Sequence, residues 1–200
     1  MREVLQIDET DYNREWLSLW KTIHFLKVMF LKSATDALSF AWKFSDIEFE
    51  ALQKMWKKWI ILDIDECIAP HHWKILPENI EIIKTLLKND WEIIIYSNMK
   101  KSDRYKELEK LWIKVVTSQY SKPDSRWFNE CLYWLWLPKH EVIMIWDNFL
   151  TDWGSIWAWI DFIKVKPIKT PWENKKIWRT FQKTFRSIAD ILADKRHNDF

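Results

Sequence analysis

The chain predicts an α/β fold, a three-layer sandwich on a mainly parallel sheet, and three observations carry that expectation. Its 200 residues, 48% hydrophobic and 30% charged, suit one domain with a sizeable core and are marginal for two. From residue 59 onward, apolar strand-like runs alternate with amphipathic helix-like segments. The intervals between strand ends are each just long enough for one helix and one strand, the pattern of βα units with helices on both faces of a sheet.

In chain order, Trp16 to Leu31 (WLSLWKTIHFLKVMFL) is apolar but broken by Lys21, His24 and Lys27. It predicts a helix that packs on the protein or lies on a surface. WIILDID reads as a strand, PENIEIIKTLLKN as a helix, EIIIYS as a strand, SDRYKELEKL as a helix and IKVVTS as a strand. SRWFNECLYWL then reads as a helix, EVIMI and DFIKVKP as strands, and about 174 to 194 as a last amphipathic helix. The expected organisation is a helical extension over 1–54, the α/β core over 55–168, and a basic C-terminal helix over 169–200 packing on or beside it.

Cys67 and Cys131 form neither a disulfide framework nor a CxxC pair, so a reducing cytoplasm is the expected compartment. The polar, acidic start MREVLQIDETDY is unlike a signal peptide, and no stretch is long and uncharged enough to span a membrane. The net charge of +2 is uneven: residues 164–200 hold ten Lys or Arg against four Asp or Glu, leaving −4 for the rest. A basic tail favours anionic partners, though a solvated helix face has the same composition.

The abnormal numbers are one glycine and 17 tryptophans, where ordinary usage predicts about 14 glycines. Trp91, Trp112 and Trp136 fall at helix-to-strand junctions, and Trp146 falls where a strand runs into an acidic loop. A helix usually ends in a left-handed residue, where glycine is favoured and any other residue costs about 1–2 kcal/mol. The expectation is that many tryptophans stand for glycine, as in the UGA-to-glycine code of some bacterial lineages. Trp91, Trp112, Trp136 and Trp146 are the first candidates, then Trp59, Trp73, Trp127, Trp153, Trp157 and Trp159. Trp16, Trp20 and Trp42, in helical context, are compatible with real tryptophan. A base-stacking surface would need basic residues interleaved on one face, so no nucleic-acid partner is expected.

The chemistry-bearing residues gather at strand ends. Asp63 and Asp65, two apart on an extended chain, point the same way at the carboxyl edge of the sheet, where α/β folds bind ligands. Such a pair alone also serves strand-end solubility or capping. The next strand ends in Ser97-Asn98, suited to hydrogen-bonding a phosphoryl oxygen. Lys122 precedes Pro123 and offers an ammonium to a phosphate. EVIMI leads to Asp147, with Asp152 five residues on. Together these four strand ends carry the set needed to hold Mg2+ and a phosphate.

In order, spacing and strand context, IILDIDECI, IIIYSN, SKP with RWF, and IWDNFLTD resemble the motifs of the haloacid-dehalogenase-like (HAD) phosphatase superfamily over about residues 55–168. Glycine at 146 would give the superfamily's GDxxxTD. Within it, KKWIILDID and SKPDSRWF look most like the IIIA-type YqeG family, itself similar to phosphatidylglycerophosphate phosphatases. The resemblance implies a HAD-like Rossmannoid sandwich without a cap domain and a Mg2+-dependent phosphomonoesterase. In it Asp63 is the nucleophile, Asp65 the general acid and base, and Ser97, Asn98 and Lys122 the phosphate-binding groups. Asp63, Asp147 and the Asp65 carbonyl are the metal ligands, with Asp152 in support. Cys67 departs from the usual Thr or Val, and the loop after Asp152 looks shorter than in YqeG-like chains.

An open, capless site suits a bulky substrate such as phosphatidylglycerophosphate. The apolar segment 16–31 and the basic helix from 174 could hold the enzyme peripherally at the inner face of an anionic membrane. The alternatives are a soluble phosphatase for sugar phosphates or nucleotides, and a HAD-fold binding module without turnover. His71-His72 follow the first motif as a pair without helical or strand spacing and read as a solvated loop.

Overall fold

The computed structural model describes residues 39–71, 73–97, 103–116, 122, 124–148, 152, 154–169, 184, 187 and 188. The helix expected at 16–31, nearly all of the one at 174–194, and Asn98, His72 and Trp153 lie outside them. No helix among the described residues is long and apolar enough to cross a membrane.

Six strands form one sheet: β1 (Ser39–Ala41), β2 (Trp59–Leu62), β3 (Glu92–Tyr96), β4 (Lys114–Val116), β5 (Val142–Trp146) and β6 (Asp161–Val165). Their order is β1-β6-β5-β2-β3-β4, and every pairing is parallel. The helices are α1 (Phe49–Lys54), α2 (Pro77–Lys88), α3 (Lys106–Lys110), α4 (Ser125–Trp134) and the single turn α5 (Gly154–Trp157). The fold is the α/β Rossmannoid sandwich expected. Residues 39–54 differ from the expected helical extension, because β1 adds to β6 as an edge strand and Phe44 and Leu52 are buried in the core.

Strand alternation divides the core in two. Ile60, Leu62, Ile93, Ile95, Ile143 and Ile145 face α2 and α3, meeting Ile83, Leu86 and Leu108. Ile61, Ile94, Tyr96, Met144 and Phe162 face the other way, onto Phe128, Cys131 and Leu132 of α4. Each fully buried aliphatic side chain contributes roughly 1.5–3 kcal/mol. Apolar runs such as WIIL and VIMI survive because both faces of a parallel sheet are covered. Pro77 begins α2 with its φ preset, and Asp124 caps α4 by accepting a 2.9 Å hydrogen bond from the Arg126 N–H.

Among the described residues, these five helices end the same way. In each, the second residue past the cap returns its N–H to a carbonyl in the last turn: Lys57 to Leu52, Trp91 to Leu86, Ile113 to Leu108, Leu137 to Leu132 and Ile160 to Ser155. This closure places the intervening residue in the left-handed region. That residue is Trp56 (φ 64), Asp90 (φ 59), Trp112 (φ 60), Trp136 (φ 53) and Trp159 (φ 59), in order. The four indoles are exposed at 71%, 95%, 87% and 84%, so packing returns little for the backbone cost. Two positions depart from the reading of the junctions. Asp90, not Trp91, takes the left-handed place after α2, and Trp91 is buried edge-on against Phe49. Trp146 is the last residue of β5, buried and stacked on Phe162.

Candidate active site

The connection from β4 crosses to β5 on the far side of β2, so the sheet's direction of winding reverses around β2. At such a switch point the loops leaving adjacent strands diverge and open a crevice at the carboxyl edge. Asp63 and Asp65 follow β2, Ser97 follows β3 and Asp147 follows β5.

The backbone after β2 is fixed by the sheet and by its own turn. Asp63 N–H donates to Ile145 O at 3.0 Å, and the N–H groups of Cys67, Ile68 and Ala69 all return to Ile64 O. Glu66 takes a left-handed φ of 59° to close that turn. Asn79 of α2 anchors the loop by donating to Ile68 O at 2.8 Å. Cys67 is buried beneath it with Sγ 3.9 Å from Ile145 O, and burial, reinforced by Asp63, pushes its thiol well above the ordinary value. A thiol held protonated in this way supports the loop and is a poor nucleophile.

Asp63, Asp147 and Asp152 are all buried, and one carboxylate oxygen from each lies within 4.8 Å of those of the other two. Lys122 stands among them, its Nζ 2.5 Å from Asp63 Oδ1, 2.7 Å from Asp152 Oδ1 and 4.7 Å from the centre of the Tyr96 ring. Burial opposes the ammonium, but Asp152 and Asp63 outweigh it and hold Lys122 above its usual range, so it stays charged. Asp63 is raised as well, which for a carboxylate favours the neutral form. Burial, helped by Asp152, outweighs Lys122 and pushes Asp63 up to about 7. Three buried carboxylates around one ammonium leave the site short of positive charge. Hard oxygen donors this close together are the ligand set of Mg2+, which takes one or two carboxylates plus substrate oxygens and water. The residues fit that ion.

Asp65 is separate from this cluster. Its Oδ1 accepts a 2.8 Å bond from Arg104 Nη1, and His71 Nδ1 stands 3.9 Å away. Ser97 Oγ accepts a 2.8 Å hydrogen bond from the Tyr105 hydroxyl. Of the residues singled out in the sequence, the structure gathers Asp63, Lys122, Asp147 and Asp152 around one point. It places Asp65 two residues past Asp63 on the same loop, and Ser97 at the end of the neighbouring strand β3. Arg104 and Tyr105 were not anticipated, since a charge on a helix-like segment is ordinarily solvated. Trp146 does not crowd Asp147, because its indole points into the core beside Phe162 while the next side chain along the strand points away.

No protein-family model matches the chain, and no curated protein matches it in sequence. Solved structures similar to it include a deoxy-D-mannose-octulosonate 8-phosphate phosphatase from Haemophilus influenzae in its cobalt-bound form. That match has 13% identity and a TM-score of 0.45, covering 72% of this chain and 92% of the other. The 3-deoxy-D-manno-octulosonate 8-phosphate phosphatase from Moraxella catarrhalis, in complex with magnesium, phosphate and KDO, is 11% identical with a TM-score of 0.45, covering 76% and 95%. A protein from Legionella pneumophila described as a HAD superfamily (subfamily III A) hydrolase is 14% identical with a TM-score of 0.43, covering 76% and 96%.

Proposed function

We propose that the chain is a Mg2+-dependent phosphomonoester hydrolase of the HAD type, working through an aspartyl-phosphate. The observation that carries this reading is the buried trio Asp63, Asp147 and Asp152 around Lys122 at the switch point of the sheet. Asp63 attacks phosphorus, because it is the carboxylate held both by the β2 backbone and by the lysine that would face the phosphoryl oxygens. Lys122 and Ser97 orient and neutralise the phosphoryl group, Asn98 would join them, and Asp65 gives a proton to the leaving oxygen and then takes one from the attacking water. Asp63, Asp147 and the Asp65 carbonyl would hold Mg2+, with Asp152 fixing the lysine. The ion, when bound, supplies charge neutralisation at the phosphoryl oxygens. The test is phosphate release from p-nitrophenyl phosphate with Mg2+ or EDTA, with Asp63→Asn as control. Metal-dependent turnover lost in the variant supports the reading, and equal turnover in the variant overturns it.

For the substrate we infer a phospholipid phosphate such as phosphatidylglycerophosphate. The motif resemblance to the YqeG family supports this. So does the spacing of the motifs, 32 residues from Asp65 to Ser97 and 25 from Ser97 to Lys122, which accommodates one helix and one strand each and no cap domain. The apolar 16–31 segment and the basic tail would bring the enzyme peripherally to an anionic surface. Vesicle co-sedimentation and phosphate release from lipid phosphates, sugar phosphates and nucleotides separate this from a soluble phosphatase. A chain that neither sediments with vesicles nor acts on lipid removes the lipid reading alone.

We also propose that Trp56, Trp112, Trp136 and Trp159 stand where the organism places glycine. The support is their left-handed φ at helix ends, their exposure, and a count of one glycine against 17 tryptophans. Four such residues would cost roughly 4–8 kcal/mol, comparable with the whole stability of a typical domain. UGA codons at these positions in the gene support the idea, and UGG at all four sinks it.

A further inference from the structure

Asp103–Tyr105 forms a single 3-10 turn leading into α3, and its last two residues reach two different site groups. Arg104 Nη1 donates to Asp65 Oδ1 at 2.8 Å, and the Tyr105 hydroxyl donates to Ser97 Oγ at 2.8 Å. Both side chains are deep: Arg104 is 5% exposed and Tyr105 is buried, with the guanidinium carbon 5.5 Å from the centre of the neighbouring Tyr105 ring. Asp65 itself is the more open member of its pair, at 24%.

We infer that this turn is a positioning clasp, in which Arg104 aims the Asp65 carboxylate at the leaving-group oxygen and Tyr105 aims Ser97 at the phosphoryl group. The inference rests on the phosphatase reading above. Asp65 lies beyond the strand ladder: it follows the last β2 pairing by three residues and sits at the start of a tight turn. A carboxylate so placed has several rotamers open to it, and a buried guanidinium bound to one oxygen selects among them. Arg104 is too enclosed to serve as an open receptor for a second anionic group of a substrate. Tyr105 acts on the other partner. The bond from Tyr105 holds the Ser97 side chain in one orientation at the end of β3, from which a hydroxyl can donate to a phosphoryl oxygen.

The two halves of the clasp separate by the leaving group. Expulsion of p-nitrophenolate needs no proton, whereas an alkoxide leaves only as it is protonated, so a defect in aiming Asp65 shows on alkyl phosphates. The experiment measures kcat/KM with Mg2+ on p-nitrophenyl phosphate and on an alkyl phosphate for wild type, Arg104→Met, Arg104→Lys, Tyr105→Phe and Asp65→Asn. General acid catalysis contributes about 10²–10⁴-fold, so Arg104→Met should lose about 100-fold on the alkyl ester and under about 10-fold on the aryl ester. It should therefore share the leaving-group preference of Asp65→Asn. Arg104→Lys, which keeps the charge, should recover part of the alkyl activity. Tyr105→Phe keeps the ring beside Arg104 and should lose about equally on both esters. An equal loss on both esters in Arg104→Met and Arg104→Lys, as misfolding would produce, overturns the inference while leaving the phosphatase reading intact. A wild type without Mg2+-dependent turnover on either ester overturns both.

Discussion

Replacing Asp63 by Asn removes one of three buried negative charges and, on the proposed mechanism, the nucleophile. Without metal, the Asp63 carboxyl is raised from 3.8 to about 7, chiefly by burial, a difference of roughly 4 kcal/mol against ionisation in the fold. The sign follows from proton counts. Between pH 4 and pH 7 the folded chain keeps a proton that the unfolded chain has released, so the stability this group confers is complete below pH 4. It is lost progressively as pH rises through about 7. From pH 5.5 to pH 8 the metal-free protein should lose about 2 kcal/mol through this group, or about 4–8 °C in Tm for a chain of this size. The assay is thermal unfolding in EDTA and in excess Mg2+ at both pH values. Wild type in EDTA should melt lower at pH 8, and Mg2+ at about 100 times its Kd should restore about 2.7 kcal/mol there. Asp63→Asn should show neither this share of the pH dependence nor the Mg2+ response, and should melt above wild type in EDTA at pH 8. A variant with the wild-type pH slope, or a wild type indifferent to Mg2+, refutes the assignment of Asp63 as a metal ligand.

Lys122→Met leaves Asp63 and Asp152 buried without their ammonium, so metal-free stability should fall by about 3–5 kcal/mol in denaturant titration. Mg2+ should restore part of that stability but little turnover, and full activity in this variant contradicts the role given to the lysine. Glycine at 56, 112, 136 and 159 should raise stability by about 1 kcal/mol per site, measured singly by thermal melts, and uniform destabilisation would count against left-handed strain. Lys57 donates to His140 O at 2.8 Å, to Val142 O at 3.2 Å and to Asp161 Oδ2 at 2.5 Å, far from the site. Lys57→Met should therefore cost about 1–3 kcal/mol in unfolding while leaving kcat unchanged, and a large loss of kcat in a folded variant refutes that separation.

That Asp63, Ser97 and Asp147 fall at one edge of the sheet is legible because parallel strands are short apolar runs with their carboxyl ends on one side, so position along the run reports position in space; Lys122, six residues past β4, has no such mark. Helix ends were harder. After LLKND the left-handed residue is Asp90 rather than Trp91, because the closing hydrogen bond from Trp91 to Leu86 decides the register and a one-residue difference leaves no trace in periodicity. Trp56 carries no such mark in the sequence because α1 is only Phe49–Lys54, too short for a helical period. The strand β1 is three residues at a sheet edge, where pairing with β6 rather than intrinsic pattern creates it. Arg104 and Tyr105 carry no local mark at all. Their importance arises from a turn that brings them to Asp65 and Ser97, 39 and 8 residues away in sequence.

Covalent chemistry at Asp63 is tested most directly by acid-quenching the Mg2+-loaded protein during turnover of 32P-labelled p-nitrophenyl phosphate. The mechanism predicts protein-bound label that hydroxylamine removes, that maps to the peptide containing Asp63, and that is absent from Asp63→Asn. Label persisting in Asp63→Asn, or turnover by wild type without any hydroxylamine-labile label, would contradict it.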